Sequence, residues 1–395
     1  MKQKLLFVID SLDCAGAEKS LVTLLSLLDY QKYQVDLLLF GYGGVLETLL
    51  PKEVNLLPPL PYTQFSKKTL SKQLFQLNNQ NLNMLRARMK YSLKLRLNKL
   101  TNPQKARVFW ESASSVIEYN LKMYDIAISY AQGVPTFYVA EKVKAKKKFA
   151  WVNVSYRLYG KEKGFQKQYY DSYNKIVAVS DTTREIFLET FPEYQSKMNV
   201  IYDINDPRII SEMSVLHYNE NIEFEGLKLL TIGRLASQKG YKIALETCRM
   251  LKEAGVHFRW YVLGKGPEED EIKKYIHEND LANHFILLGT RVNPYPIIKN
   301  SDIYVQTSKY EGFGLAIAEA RMLNIPVVTT RFDAVYNQMT HEKNGLVVDM
   351  SSSAVFNGIL RLIQDQDLKM EIIEYLKAEP KGNLSELDKF HELIG

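Results

Sequence analysis

The chain has 395 residues, 24% of them charged and 46% hydrophobic, with a formal net charge of +6 at pH 7. That length exceeds the usual reach of one hydrophobic core and predicts two domains, while the composition excludes a disordered chain. Cys14 and Cys248 stand far apart with no metal-ligand companion nearby, which excludes a disulfide framework and fits a reducing cytoplasm.

The opening MKQKLLFVIDSLD carries two lysines and only five apolar residues before Asp10. That run is too short for a signal peptide and reads instead as a first buried strand. No apolar run approaches the roughly 20 residues that span a bilayer, so an integral membrane protein is not expected. The next segment, DSLDCAGAEKS, holds Gly16 but lacks the three-glycine dinucleotide fingerprint, which argues against a dehydrogenase. Leu21, Leu24, Leu25 and Leu28 then give a helix with one apolar stripe. The strand VDLLLF follows.

From Val54 to Trp110 there is no acidic residue, and lysines and arginines from Lys67 to Arg107 supply eleven positive charges. Within this segment Leu85, Met89, Leu93, Leu97 and Leu100 follow helical spacing. A membrane-surface helix, a nucleic-acid patch and a merely solvated basic face all fit such a segment. No nucleic-acid module accompanies it, so a nucleic-acid partner is not expected, whereas each basic residue near an anionic leaflet contributes about 1 kcal/mol.

YDIAISYA, KKFAWVNV and KIVAVS complete a first series of strands. YDINDPRIISEM, with Pro207 among polar residues, suits a linker. A second series follows in KLLTIG, RWYVLG, FILLGT, DIYVQTS, PVVTT and GLVVD. Among these lies the helix YKIALETCRMLKEAG, with Ala244, Cys248 and Leu251 inward and Gly255 as its stop. Strands alternating with helices predict parallel sheets. The expected fold is α/β with two Rossmann-like doubly wound domains facing across a cleft. The expected bounds are 1–205 (acceptor side, with the basic segment 54–110), 206–380 (donor side) and a terminal helix in 381–395 packing back on the first domain through Leu384, Leu387, Phe390 and Ile394.

Chemistry concentrates in two loops of the second domain. In TSKYEGFGLAIAEARMLNIP a strand ends, Gly312 and Gly314 make a turn, and a helix starts near Leu315. Such a turn lets backbone N–H groups approach an anion such as a phosphate. Glu311 and Glu319 flank it and can reach different parts of one extended ligand. In TIGRLASQKGY, Gly233 and Arg234 end a strand, and Lys239 precedes Gly240 and the next helix. Two fixed cations there can neutralise a diphosphate without a metal. A buried structural glutamate and a solvated basic loop are the plain alternatives. The six histidines show no metal-ligand spacing, and Asp365 and Asp367, an Asp-x-Asp, lie in helical-looking sequence and read as solvated.

GRLASQKG, GKGPEEDEI, NPYPIIKNSDIYVQTSKYEGFGLAIAEA and the opening DSLDCAGAEKSLVTL together resemble the signatures of the retaining glycosyltransferases of family 4, of bacterial cell-envelope or capsular type, which have the GT-B fold. The resemblance implies that Arg234 and Lys239 hold the donor diphosphate, that Glu319 meets the ribose and Glu311 the sugar. It also implies that the loop of Gly312, Phe313, Gly314 and Leu315 contacts sugar and phosphates, that Gly233 belongs to the donor-binding set, that Arg291 and Val292 face the base, and that Gly16 admits the phosphate. Where many relatives carry a histidine that reaches the sugar, this chain has Asn153, which can bond but cannot titrate.

The implied activity is transfer of a hexose or N-acetylhexosamine from a nucleotide-sugar, a UDP-sugar above all, to a lipid-linked or cell-envelope glycan, with no metal or cofactor. The expected setting is cytoplasmic, on an anionic membrane surface. The rivals are a non-catalytic GT-B subunit that stabilises a partner glycosyltransferase, or pairs with its own copy, and a soluble phosphorylase or small-acceptor transferase.

Overall fold

The computed structural model describes residues 2–13, 16–69, 79–97, 100–154, 157–215 and 224–395. They form two compact units, one taking in Ala17–Ile201 and Phe390–Gly395, the other Tyr202–Lys389. Each is built on a wholly parallel sheet.

In the first unit the strands are β1 (Gln3–Ile9), β2 (Tyr33–Leu39), β3 (Asn55–Leu56), β4 (Asn120–Ser129), β5 (Val143–Val152), β6 (Lys175–Ala178) and β7 (Met198–Val200). Their order is β3-β2-β1-β4-β5-β6-β7. Leu5 pairs with Val35 on one side and Ile126 on the other, and Leu5 through Val8 are fully buried. A strand covered on both faces has no polar alternation, which is why these runs are continuously apolar.

The second sheet comprises β8 (Leu227–Ile232), β9 (Phe258–Leu263), β10 (Phe285–Gly289), β11 (Ile303–Gln306), β12 (Val327–Thr330) and β13 (Gly345–Val348), in the order β10-β9-β8-β11-β12-β13. The direction of strand addition reverses between β8 and β11. Open α/β sheets bind ligands outside the carboxyl ends of strands at such a reversal. Every strand expected from an apolar run is present. The two edge pieces β3 and β7 were not expected, being too short to show a period.

Three local expectations need correction. The stretch around residue 205 is not a solvated linker, because Asp203, Asn205 and Asp206 are buried. Asn205 N–H donates to Asn383 Oδ1 (2.8 Å), Asn383 Nδ2 to the Asp203 carbonyl (2.9 Å) and Tyr202 N–H to Glu386 Oε2 (2.9 Å). Pro207 opens the helix Pro207–Ser214, and Asp206 caps it by accepting from Arg208 N–H, so the proline starts structure there.

The basic segment folds, among the described residues, into the helices Pro61–Lys67, Asn79–Leu97 and Asn102–Ala113. Met84, Leu85 and Ala87 are buried, but Met89 and Leu93 are each 59% exposed. Every fourth residue advances about 40° round a helix, so the row from Leu85 winds off the core face. Lys72 and Lys99 fall outside the described residues. Several of the remaining charges are tied down: Arg107 to Glu111 and Glu162, and Lys94 to Glu111 at 3.5 Å.

The third correction is the terminal helix, which runs Ser385–Ile394; only its part from Phe390 onward groups with the first unit. Phe390 and Ile394 are fully buried, with the Phe390 ring 6.3 Å from Phe7 and 6.1 Å from Trp151.

Candidate functional site: the carboxyl edge of the second sheet

The loops after β8 and β11 lie on the two sides of the strand-order reversal. Gly240 adopts φ +65°, and a Cβ there would lie 2.1 Å from the Thr307 carbonyl oxygen. Only glycine permits that approach. Thr307 Oγ1 donates to the Lys239 carbonyl (2.9 Å), Lys309 N–H to the Gln238 carbonyl (2.8 Å) and Gln238 Nε2 to the Tyr310 carbonyl (3.0 Å). The two loops therefore behave as one piece of backbone.

The Lys239 side chain crosses Gly233, where a Cβ would come within 3.1 Å of it, and its Nζ reaches Glu311 Oε1 at 2.5 Å. The same oxygen accepts from Ser308 Oγ (2.5 Å) and Gln306 Nε2 (2.6 Å). Behind them Tyr304 Oη donates to Gln306 Oε1 at 2.5 Å. Burial, opposed by the Ile232 backbone and aided by the Glu311 charge, holds the Tyr304 hydroxyl well above its usual range, so it stays a donor at neutral pH. Glu311 is 7% exposed and Glu319 2%. A carboxylate so enclosed survives only with donors around it, and here three converge on one oxygen.

Glu319 projects from the helix Leu315–Met322 and accepts from Tyr295 Oη at 3.1 Å. Gly314, at φ +86°, forms the N-cap of that helix. Gln338 Nε2 holds the turn from behind, donating to the Phe313 carbonyl and to the Gly314 carbonyl (3.1 Å). Arg234 is exposed and, among the described residues, makes no ion pair. A long cation with nothing to hold it, beside a lysine fixed by a buried carboxylate, suits a ligand carrying several negative oxygens.

The structure thus brings together Arg234, Lys239, Glu311, Gly312, Phe313, Gly314, Leu315 and Glu319 on one sheet edge. Arg291 and Val292 follow β10, two strands out from β8 on the same edge, and the Arg291 guanidinium folds back on the Thr290 carbonyl (3.0 Å). Gly16 opens the helix Gly16–Leu27, which follows β1 in the chain, and Asn153 lies at the carboxyl edge of the first sheet. Asn153 follows β5 and donates through Nδ2 to the Tyr130 carbonyl at 2.6 Å. Its Oδ1 is buried without a hydrogen-bond partner among the described residues, so the side chain braces neighbouring strand ends and retains one acceptor.

Four residues of the site were not read from the sequence: Gln306, Ser308, Tyr295 and Gln338. Gln306, Thr307 and Ser308 are 2%, 1% and 0% exposed, and a polar triplet ending an apolar buried strand is the signal by which Gln306 and Ser308 could have been found. Asp365 is a helix cap, accepting from Leu368 N–H at 3.0 Å. Among the described residues no group of three or more His, Cys, Asp or Glu is placed to hold a metal ion, and no helix is long and apolar enough to cross a membrane.

Residues 217–379 match the family described as Glycosyl transferases group 1. A Methanocaldococcus jannaschii protein described as an uncharacterized glycosyltransferase is 27% identical over 167 residues, 42% of this chain and 41% of that protein. The putative colanic acid biosynthesis glycosyltransferase WcaL of Escherichia coli K12 is 30% identical over 130 residues, 31% of this chain and 32% of that protein. The matched stretch therefore spans well under half the length of these curated relatives. The solved structure of Anabaena Alr3699/HepE in complex with UDP and glucose aligns with a TM-score of 0.71 at 17% identity, over 99% of both chains. The fold is the one the sequence led us to expect, two Rossmann-like parallel-sheet units of the GT-B type.

Proposed function

We propose, from a second unit that matches the group 1 glycosyltransferases, that the chain transfers a hexose or N-acetylhexosamine from a UDP-sugar to a glycan hydroxyl with retention of configuration, in polysaccharide biosynthesis. The observation that carries this reading is the joined pair of loops that fixes Lys239 on Glu311 beside an unengaged Arg234. Lys239, Arg234 and the helix start at Leu315 receive the diphosphate as its charge develops. Glu311 accepts hydroxyls of the sugar, and Glu319 with Tyr295 those of the ribose. The anomeric C–O bond to the diphosphate breaks, the acceptor oxygen bonds to the same face of that carbon, and the acceptor proton ends on the diphosphate. Two cations and backbone dipoles perform the electrostatic work, so the reaction needs no metal.

The test is release of nucleotide by the full chain from a panel of UDP-, GDP- and ADP-sugars, with a chelator present throughout. One UDP-sugar is expected to be hydrolysed slowly without acceptor. Glu319→Ala should raise KM for it about tenfold or more, the cost of a lost hydrogen bond to a charged group. Turnover that vanishes on chelation would overturn the metal-free mechanism. Absence of turnover and of any donor-dependent thermal shift would leave the non-catalytic partner as the correct reading.

The membrane setting rests on the helix Asn79–Leu97. Met89 and Leu93 are exposed there, as are Arg86, Lys90 and Arg96, and at 100° per residue all five share one sector of the helix. Apolar groups to insert and cations to meet anionic headgroups are what an interfacial helix presents. We expect the protein to pellet with phosphatidylglycerol vesicles at low salt. It should be released near about 1 M salt, where the screening length is ~3 Å, and by the triple change R86E/L93E/R96E. Equal pelleting of wild type and variant, or retention at high salt, would reject this surface.

A further inference from the structure

Strand β11 presents two unlike faces. Ile303 and Val305 enter an apolar core on one side, and a strand turns alternate residues the opposite way. Tyr304 and Gln306 therefore share the other face, and Ser308 continues their row past the strand end. The three are 0%, 2% and 0% exposed. An apolar residue at 306 would meet the packing with no polar group to satisfy, so burial alone does not account for the row.

The hydrogen bonds along it all run in one direction. Tyr304 Oη receives Ile232 N–H at 3.4 Å and donates its own proton to Gln306 Oε1 at 2.5 Å, the Ile232 carbonyl at 3.3 Å being the longer alternative. An amide has one accepting and one donating end, and with Oε1 engaged the Nε2 end must face Glu311. It gives one N–H to Glu311 Oε1 (2.6 Å) and the other to Ser308 Oγ (3.0 Å), and Ser308 donates in turn to the same carboxylate oxygen (2.5 Å). Gln306 thus uses every hydrogen-bonding group it has. Each bond polarises the next, and all of them end on Glu311 Oε1, which has only the role of acceptor.

The frame around the row is equally fixed. Thr231 Oγ1 on β8 donates to the Val305 carbonyl (2.6 Å) and receives Trp260 Nε1–H from β9 (2.9 Å), while Thr330 Oγ1 on β12 donates to the Ser308 carbonyl (2.7 Å). Strand β11 is clamped between its two neighbours where its chain turns toward Glu311. Ile232, at the head of the bonded row, is the last residue of β8, and Gly233 and Arg234 follow it directly. One buried chain of bonds therefore links the strand end that leads to Arg234 with the carboxylate.

We propose that Gln306, with Tyr304 behind it, is a positioning residue for the transfer reaction: it fixes the direction in which Glu311 accepts the hydroxyls of the sugar, and so governs turnover rather than nucleotide affinity. The assignment rests on the glycosyltransferase reading, in which Glu311 meets the sugar while Arg234, Lys239 and Glu319 hold the rest of the donor. A residue that acts through Glu311 alone affects how the sugar is aligned, not how the nucleotide is held.

The test is kinetics on Gln306→Leu, Gln306→Glu and Tyr304→Phe beside wild type, with UDP-sugar turnover followed from acid to neutral pH and UDP affinity measured by titration. Gln306→Leu keeps the size and loses the bonds, so kcat should fall about 10- to 100-fold, the worth of a hydrogen bond to a charged group, with the UDP Kd within about twofold of wild type. Tyr304→Phe releases the amide to turn round and should lower kcat about threefold to tenfold, as loss of a neutral bond does. Gln306→Glu reports the direction of the bonds. Its protonated form can put an O–H where the amide N–H stood, whereas its ionised form only repels Glu311, so its turnover relative to wild type should climb as the pH is lowered. Wild-type kcat in Gln306→Leu, equal loss of kcat and UDP affinity in that variant, or a Gln306→Glu to wild-type ratio that is flat with pH would each overturn the proposal. If Gln306→Leu fails to fold, the other two variants decide. A wild type that turns over no UDP-sugar is a different result, which removes the donor reading and this proposal with it.

Discussion

Lys239→Ala is expected to lower kcat/KM for glycosyl transfer by about 10²–10³, or about 2.7–4 kcal/mol, the usual effect of removing one fixed charge-stabilising donor. The argument turns on what the lysine does in the resting protein. Its Nζ is bound to a buried carboxylate at 2.5 Å, so the variant removes the charge of Lys239 from beside Glu311, to which Ser308 and Gln306 still donate. Stability should fall as well, by about 1–3 kcal/mol, because a buried charge has lost its partner. A second change separates the two effects. In K239M/E311Q both charges are gone, and a neutral pair of similar volume should restore most of the lost stability. Transfer should remain low, since neither the cation for the diphosphate nor the carboxylate for the sugar is present. Thermal melts and kinetics on wild type, both single variants and the double variant close the cycle. Recovery of activity together with stability in the double variant would show that Lys239 serves only to satisfy Glu311.

Gly240→Ala should be the most damaging small substitution in the second unit, and Gly255→Ala provides its control. Both glycines are left-handed, at φ +65° and +71°, so each pays about 1–2 kcal/mol for placing a Cβ in that region. A Cβ at Gly255 meets nothing within 4 Å, whereas one at Gly240 would stand 2.1 Å from the Thr307 carbonyl oxygen. Backbone must move to relieve that clash, and the backbone concerned joins the Lys239 loop to the Glu311 loop. A further loss of about 2 kcal/mol follows for Gly240→Ala, in the range set by strained or overpacked sites. At roughly 2–4 °C per kcal/mol for a unit of this size, the melting temperature should drop about 6–16 °C, against about 2–8 °C for the control. Donor affinity should fall only in Gly240→Ala. Equal melting shifts in the two variants would mean that the loop contact contributes nothing.

Much of this was legible in the chain itself because the relevant forces are local. Strands buried on both faces must be continuously apolar, so KLLFVI and RWYVLG announce themselves. Glycines mark the turns at 240 and 314 because the left-handed backbone at both, and the close carbonyl at 240, favour a residue without a Cβ. The terminal helix was readable from Phe390 and Ile394, whose spacing matches the face they bury. The spacing of Leu85, Met89 and Leu93 announced the helix but not what covers it: a four-residue step follows a helix face only briefly, and which part of the row meets the core depends on the packing partner. The polar run at 202–206 misled because its hydrogen-bond partners, Asn383 and Glu386, lie some 180 residues away.

By itself the sequence determined two α/β units, the glycine-marked loops at the sheet edge, and the glutamates and cations within them, since apolar periodicity, turn geometry and residue type are properties of neighbouring residues. Only the tertiary structure decided that β8 and β11 are neighbours, that Lys239 therefore meets Glu311, and that Ser308 and Gln306 share the same oxygen. Strand order and side-chain convergence arise from contacts between residues tens to hundreds of positions apart, and it is the burial of whole faces, not any local preference, that selects them.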